Sequence, residues 1–272
     1  MKINLNKQIS VATQREKADL ILKNGKIIDV INLKIIEKDI AIVDGVIVGI
    51  GKYDNSDNII DLSGKYISPG LIDGHVHIES SLLPPKSFAR VSLRNGVTTV
   101  IADPHEIANV SGVDGIKFML DESKNIDLDI FYMLPSCVPS TNFENAGAII
   151  LNDDLKQFYS HRNVLGLAEM MDFNGVLNLN SNVIDKLNYA NSLNKIIDGH
   201  APGIDETSLN AYIVAGISTD HECENLEDMQ NRLDRGMFVL IREGTAARNL
   251  SSLIKYVNIE NNSLVGLCTD DK

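Results

Sequence analysis

The chain has 272 residues, 44% hydrophobic and 23% charged, with 25 Lys and Arg against 37 Asp and Glu for a formal net charge of −12. That length suits one barrel-sized domain plus a smaller module, and the acidic balance argues against nucleic-acid partners and against docking on anionic membranes. No apolar run approaches the ~20 residues of a membrane span, no secretory h-region opens the chain, and the widely spaced Cys137, Cys223 and Cys268 read as reduced thiols of a cytoplasmic protein.

Residues 1–68 are expected to form a small antiparallel β module. Short β-rich runs (ADLILKNGKIIDV, DIAIVDGVIVGIG, NIIDLSGKYISPG) are divided by Gly and Asp/Asn turns. Asn24-Gly25 and Asp44-Gly45 between apolar runs predict hairpins, because both residue types tolerate positive φ.

From residue 69 to 272 the rhythm changes to short buried-type strands alternating with helix-length segments, the pattern of a parallel α/β sheet. Strands are predicted at Leu71–His77, Val97–Asp103, Asp129–Leu134, Val164–Glu169, Lys195–His200, Gly216–His221, Met237–Arg242 and Leu264–Asp270. Helices are predicted at Lys86–Asn95, Gly112–Ser123, Asn182–Leu193, Glu206–Ala215 and Leu226–Arg235. Eight strands make a (β/α)8 TIM-like barrel the economical architecture. The sequence stops at Lys272, just past the eighth strand, so the expectation is a barrel lacking its last helix.

Functional groups of such barrels lie at the C-terminal ends of the strands. Four of the six histidines, His75, His77, His200 and His221, fall there, together with Glu169 and Asp270. The i, i+2 spacing of His75 and His77 turns both imidazoles to one strand face. An unpaired carboxylate such as Glu169 in a buried strand costs several kcal/mol, which a metal ion relieves. Nitrogen and oxygen donors of this kind suit a borderline-to-hard divalent ion.

The stretch PGLIDGHVH (69–77) resembles the strand-one signature of the amidohydrolase superfamily. The segments HIESS (77–81), GVTTVIADPHEIANV (96–110), GLAEMMD (166–172), DGHAPG (198–203), LNAYIVAGI (209–217), IREGTAARN (241–249) and LCTDDK (267–272) are similar to its metal-dependent bacterial and archaeal adenine deaminases. Such enzymes continue for about as many residues again, so the resemblance implies a truncated chain.

The resemblance implies two divalent ions, manganese or ferrous iron, with zinc a further candidate. His75 and His77 would hold one, His200 and His221 the other, with Glu169 bridging them and Asp270 completing the first shell. A water shared by the two ions would lose its proton and attack C6 of adenine, and hypoxanthine and ammonia would leave, as in purine salvage. Asp270 would carry the proton, with Asp271 as its rival, and Arg242 and Glu243, at the end of strand seven, would contact the purine, Glu243 also serving catalysis. A homo-oligomer is expected, with adenine and water as small-molecule partners.

Other features are weaker. Arg242 and Glu243 read equally as a structural ion pair. Asp103, His105 and Glu106 could bind another ion or orient the first ligands. Cys223 and Cys268 read as buried core thiols, and His161 as exposed and idle. Two alternatives stand beside adenine deamination: another cyclic amidine or amide hydrolase on the same scaffold, and an inactive truncated chain needing a second segment to cover the apolar flanks of strands one and eight.

Overall fold

The computed structural model describes residues 4–141 and 143–272. The chain divides into two compact units, with the boundary between Pro69 and Gly70.

The first unit opens with a helix the sequence reading passes over, α1 (Leu5–Ala12), whose N-cap Asn4 accepts from the Lys7 N–H at 3.2 Å. Seven strands follow: β1 (Leu20–Lys23), β2 (Lys26–Asp29), β3 (Lys34–Glu37), β4 (Asp39–Val43), β5 (Val46–Gly51), β6 (Ile59–Asp61) and β7 (Tyr66–Ile67). They form two sheets, ordered β5-β4-β1-β6 and β3-β2-β7. Asp44-Gly45 closes the expected hairpin, with Val43 opposite Val46 and both turn residues at positive φ. Asn24-Gly25 does not. The Asn24 N–H donates to Asp39 Oδ1 at 3.1 Å, and the chain crosses there from one sheet to the other. The unit is mixed: β1/β4, β4/β5 and β2/β3 run antiparallel, whereas β1/β6 and β2/β7 run parallel. Its core is small, formed by Val11, Ala18, Ile21, Ala41 and Val43.

In the second unit eight parallel strands follow one another: β8 (Leu71–Val76), β9 (Val97–Ala102), β10 (Asp129–Leu134), β11 (Val164–Met170), β12 (Ile196–Gly199), β13 (Thr219–Asp220), β14 (Phe238–Arg242) and β15 (Val265–Cys268). Five pair in sequence order from β8 to β12, and three from β13 to β15. Two seams join these arcs into a ring. Ser218 N–H donates to the Ile197 carbonyl at 3.0 Å, and Asp270 exchanges backbone hydrogen bonds with His75 (2.9 Å) and His77 (3.2 Å). Gly199 sits at the first seam, where a Cβ would collide with the Thr219 carbonyl.

Helices α2 (Pro85–Arg94), α3 (His105–Glu122), α4 (Asn152–Leu155), α5 (Phe173–Leu177), α6 (Ser181–Ser192), α7 (Glu206–Val214), α8 (Leu226–Leu233) and α9 (Leu250–Leu253) fill the connections. The sequence reading starts α3 at Gly112. The helix instead begins at His105 and breaks at Gly112, which takes φ +59°, ψ −140°. His105 and Glu106 therefore lie in its first turn. Among the described residues no helix is long and apolar enough to cross a membrane.

Apolar residues of the strands, among them Ile72, Ile101, Met133, Leu165 and Phe238, line an interior cavity of about 620 Å³. The ionisable groups gather at the C-terminal ends of the strands.

Candidate metal centre

β8 delivers His75 and His77, both buried, with their Nε2 atoms 3.2 Å apart. Each ring is held from behind. His77 Nδ1 lies 3.0 Å from the Asp103 carbonyl oxygen and His75 Nδ1 3.1 Å from Asp198 Oδ2. A carbonyl oxygen and a carboxylate oxygen accept, so both Nδ1 atoms carry protons, which leaves the two Nε2 atoms as the ones that would face an ion. Asp270 Oδ1 stands 3.1 Å from His77 Nε2 and 3.6 Å from His75 Nε2. Glu169 Oε1 stands 3.2 Å and 3.8 Å from the same atoms. One donor set is thus His75, His77, Glu169 and Asp270.

The other oxygen of Glu169 faces a second set. Oε2 lies 2.7 Å from His200 Nδ1 and 3.2 Å from His221 Nε2. It is buried and meets neither at a hydrogen-bonding angle, so the three atoms converge on a point between them. Glu222 Oε1 adds a further donor, 3.4 Å from His200 Nδ1 and 3.6 Å from His221 Nε2.

The supporting residues are themselves buried and paired. The Arg242 guanidinium donates to both oxygens of Glu222, from Nη2 to Oε2 at 3.1 Å and from Nη1 to Oε1, and from Nη1 to Asp270 Oδ2 at 3.0 Å. Arg232 Nε donates to Asp220 Oδ2 at 3.0 Å, and Asp220 Oδ1 accepts from the Glu222 N–H at 3.0 Å. Lys186 Nζ donates to the Ser136 carbonyl at 2.7 Å, while Ser136 Oγ donates to the Glu169 carbonyl.

Electrostatics marks the same spot. Burial pulls the His75 imidazole down, yet hydrogen bonds to Asp198 and Asp270 and the charge of Glu169 outweigh it and push its pKa up to about 10. His77 is driven up likewise against its burial. Burial pushes Glu169 and Asp270 the other way, but the surrounding imidazoles hold both well below the usual carboxylate range. These groups demand positive charge among them. With imidazole and carboxylate donors and no thiol in the set, a borderline-to-hard divalent ion fits.

The structure brings together His75, His77, Glu169, His200, His221 and Asp270. It does not bring Glu243 to them. Glu243 is exposed, and its Oε2 accepts from the Leu250 N–H at 3.1 Å, because the residue after Arg242 turns to the outer face of the ring. Arg242 does reach the site, but Glu222, Asp270 and Asn249 take four of its five N–H donors, leaving little for a purine. Asp271 is half-buried and the carboxylate facing the imidazoles is that of Asp270. Cys223 and Cys268 are buried. His161 is half-buried rather than exposed, and its Nδ1 accepts from the Asn163 N–H at 3.3 Å. The sequence reading gave Asp198 and Glu222 no role.

The sequence matches the Amidohydrolase family over residues 66–268. It is 52% identical over 272 residues to an adenine deaminase of Geobacillus kaustophilus, 51% over 268 residues to one of Clostridium acetobutylicum, and 48% over 265 residues to one of Bacillus subtilis. These alignments cover 97–100% of this chain but only 46–47% of each relative, so the chain spans about half the length of the curated relatives it matches. Among solved structures, a triazine hydrolase variant superimposes with a TM-score of 0.65 at 15% identity, over 92% of this chain and 71% of that one. The zinc complex of atrazine chlorohydrolase from Arthrobacter aurescens gives 0.61 at 15%, over 92% and 72%. At such identities the likeness is one of fold.

Proposed function

The chain belongs to the amidohydrolase family, and from that premise we propose that it carries the metal-binding half of an adenine deaminase, which hydrolyses adenine to hypoxanthine and ammonia. The observation that carries the reading is the convergence of His75, His77, Glu169, His200, His221 and Asp270 on two adjacent points. About 50% identity to curated adenine deaminases along the whole chain supports adenine as the substrate.

His75, His77, Asp270 and Glu169 Oε1 would hold one divalent ion, and Glu169 Oε2, His200 and His221 the other, with manganese or ferrous iron favoured and zinc a further candidate. Ions bound there would supply an acidified water as nucleophile. The chain's own residues do the rest. Asp270 takes the proton of the attacking water and hands it to the departing amine; Arg242 fixes its carboxylate through Oδ2 so that Oδ1 keeps its aim. Asp198 and the Asp103 carbonyl hold the His75 and His77 rings in one tautomer. Glu222, anchored by Arg242, faces the second point and is placed to accept a hydrogen bond from a bound substrate or water.

The reaction is cytoplasmic on this reading, in keeping with three unpaired cysteines. A homo-oligomer belongs to it as well; light scattering in solution tests that.

The experiment is adenine conversion by the manganese-loaded protein, followed by chromatography of the purines and by ammonia release. Equimolar hypoxanthine and ammonia are expected, with turnover abolished and most metal kept in Asp270→Asn, and less metal per chain in His200→Ala. Full metal occupancy with no turnover of adenine overturns the reading for this chain.

A further inference from the structure

Next to the two points already described, the end of β9 and the first turn of α3 assemble donors to which the proposed function gives no metal. Asp103 is 1% exposed and His105 opens α3. His105 Nδ1 lies 2.9 Å from Asp103 Oδ2 and 3.3 Å from Glu169 Oε1. These residues and His77 offer ligand atoms that all fall within 4.8 Å of one another. A ring nitrogen carries at most one proton and cannot satisfy two carboxylate oxygens with it. A cation among the three satisfies them together, and separations near 3 Å are the edges of an octahedral shell with bonds of ~2.1 Å.

A second observation is independent of those distances. Asp103 Oδ1 is buried with no hydrogen-bond partner, and so is Oε2 of nearby Glu79, whose Oε1 accepts from the Ile107 N–H at 3.2 Å. The carboxylates of Glu79, Asp103 and Glu106 repel one another, and among the described residues no Lys or Arg forms an ion pair with any of them. Buried carboxylate oxygens without a partner cost free energy that a fixed cation removes.

We propose that Asp103 and His105, sharing Oε1 of Glu169, form a third divalent-cation site beside the pair. It rests on the metal reading of the pair, because Glu169 serves both. With two ligands of its own and an oxygen-rich shell, it takes a hard-to-borderline ion such as Mn2+ more weakly than the pair does.

The test is a Mn2+ titration of the metal-free protein, with bound metal counted by equilibrium dialysis and elemental analysis. The wild type is expected to bind two ions tightly and a third more weakly. Asp103→Asn combined with His105→Phe is expected to keep the two tight ions and weaken the third by about 10–100-fold, while surface binding, being adventitious, is the same in both proteins. His105→Asn alone, at a partly exposed position, repeats the measurement with little demand on folding. Saturation of the wild type at two ions, or a third ion unchanged in both variants, overturns the site. Loss of a tight ion in the variants assigns the residues to the pair and overturns it equally. Fewer than two tight ions in the wild type defeats the pair and the third site together, whereas a stop at two defeats only the third.

Discussion

Arg242 and Glu222 meet fork to fork, Nη2 donating to Oε2 at 3.1 Å and Nη1 to Oε1, with both side chains buried. The same Nη1 reaches Asp270 Oδ2, so one guanidinium joins the carboxylates that face the two halves of the donor set. Removing it strands two buried acids. Arg242→Ala is expected to lower unfolding stability by about 3–5 kcal/mol in the metal-free protein, and Arg242→Lys to recover only part, since an ammonium cannot grip a carboxylate through two parallel bonds. Denaturant titration of the three proteins checks this; a lysine variant as stable as wild type would sink the argument.

Asp198 touches no point where an ion would sit, yet it holds His75 through Nδ1 and is itself held by Thr219 and the Gly199 N–H. Asp198→Asn can donate to the ring and turn its tautomer over. Mn2+ affinity, measured by competition with a chelator, is expected to fall about 10–100-fold with little change in stability.

Lys186 is 1% exposed, and burial lowers its pKa against the weaker pull of Cys137 and Asp154. The unfolded chain therefore binds more protons than the folded one in a window that ends at the ordinary lysine value of 10.5. Wild-type stability should gain as pH rises through that window. In Lys186→Met the loss of the bond to the Ser136 carbonyl sets a constant offset, and the stability gap should shift in favour of wild type as pH climbs through that window toward 10.5. Each unit of pKa shift corresponds to about 1.4 kcal/mol. Unfolding curves at several pH values read the slope; a gap independent of pH would contradict it.

Cys137, Cys223 and Cys268 are all buried, and burial pushes each thiol above its ordinary value. Reaction needs the thiolate. Ellman's reagent at pH 8 is expected to find no fast thiol in the native protein and three after denaturation. A rapidly titrating cysteine in the native state would mean that its pocket opens.

The parts of this site that could be read from the chain are those fixed by strand periodicity. His75 lies in β8, which is extended up to Val76, and His77 follows directly, so the alternation carries one residue past the strand end. Glu222 escaped because the same rule sends the neighbour of a ligand to the opposite face, whereas β13 is only Thr219–Asp220 and both His221 and Glu222 lie beyond it. Asp270 also lies outside a strand: β15 ends at Cys268, and Asp270 takes φ +58° to turn its carboxylate back toward β8. Alternation selected the right-facing residue there without describing the backbone that aims it. Asp198 was invisible because its role is visible only in what it touches across the ring. In the first unit, Asn24-Gly25 and Asp44-Gly45 carry the same local signal, and only long-range pairing separates the hairpin from the crossover.

The seam between β8 and β15 gives the two halves of the site different histories during synthesis. Glu169, His200 and His221 lie within 52 positions of one another, and their half can form once β13 is in place. The other half needs Asp270, 195 positions after His75, hydrogen-bonded backbone to backbone across the seam. A nascent chain emerging from the ribosome thus carries the complete second half while the first lacks one wall. Closing a loop of that span costs more entropy than the nearer contacts among β11, β12 and β13. An ion captured early would wait beside β11, β12 and β13 until Asp270 clasps onto His75 and His77.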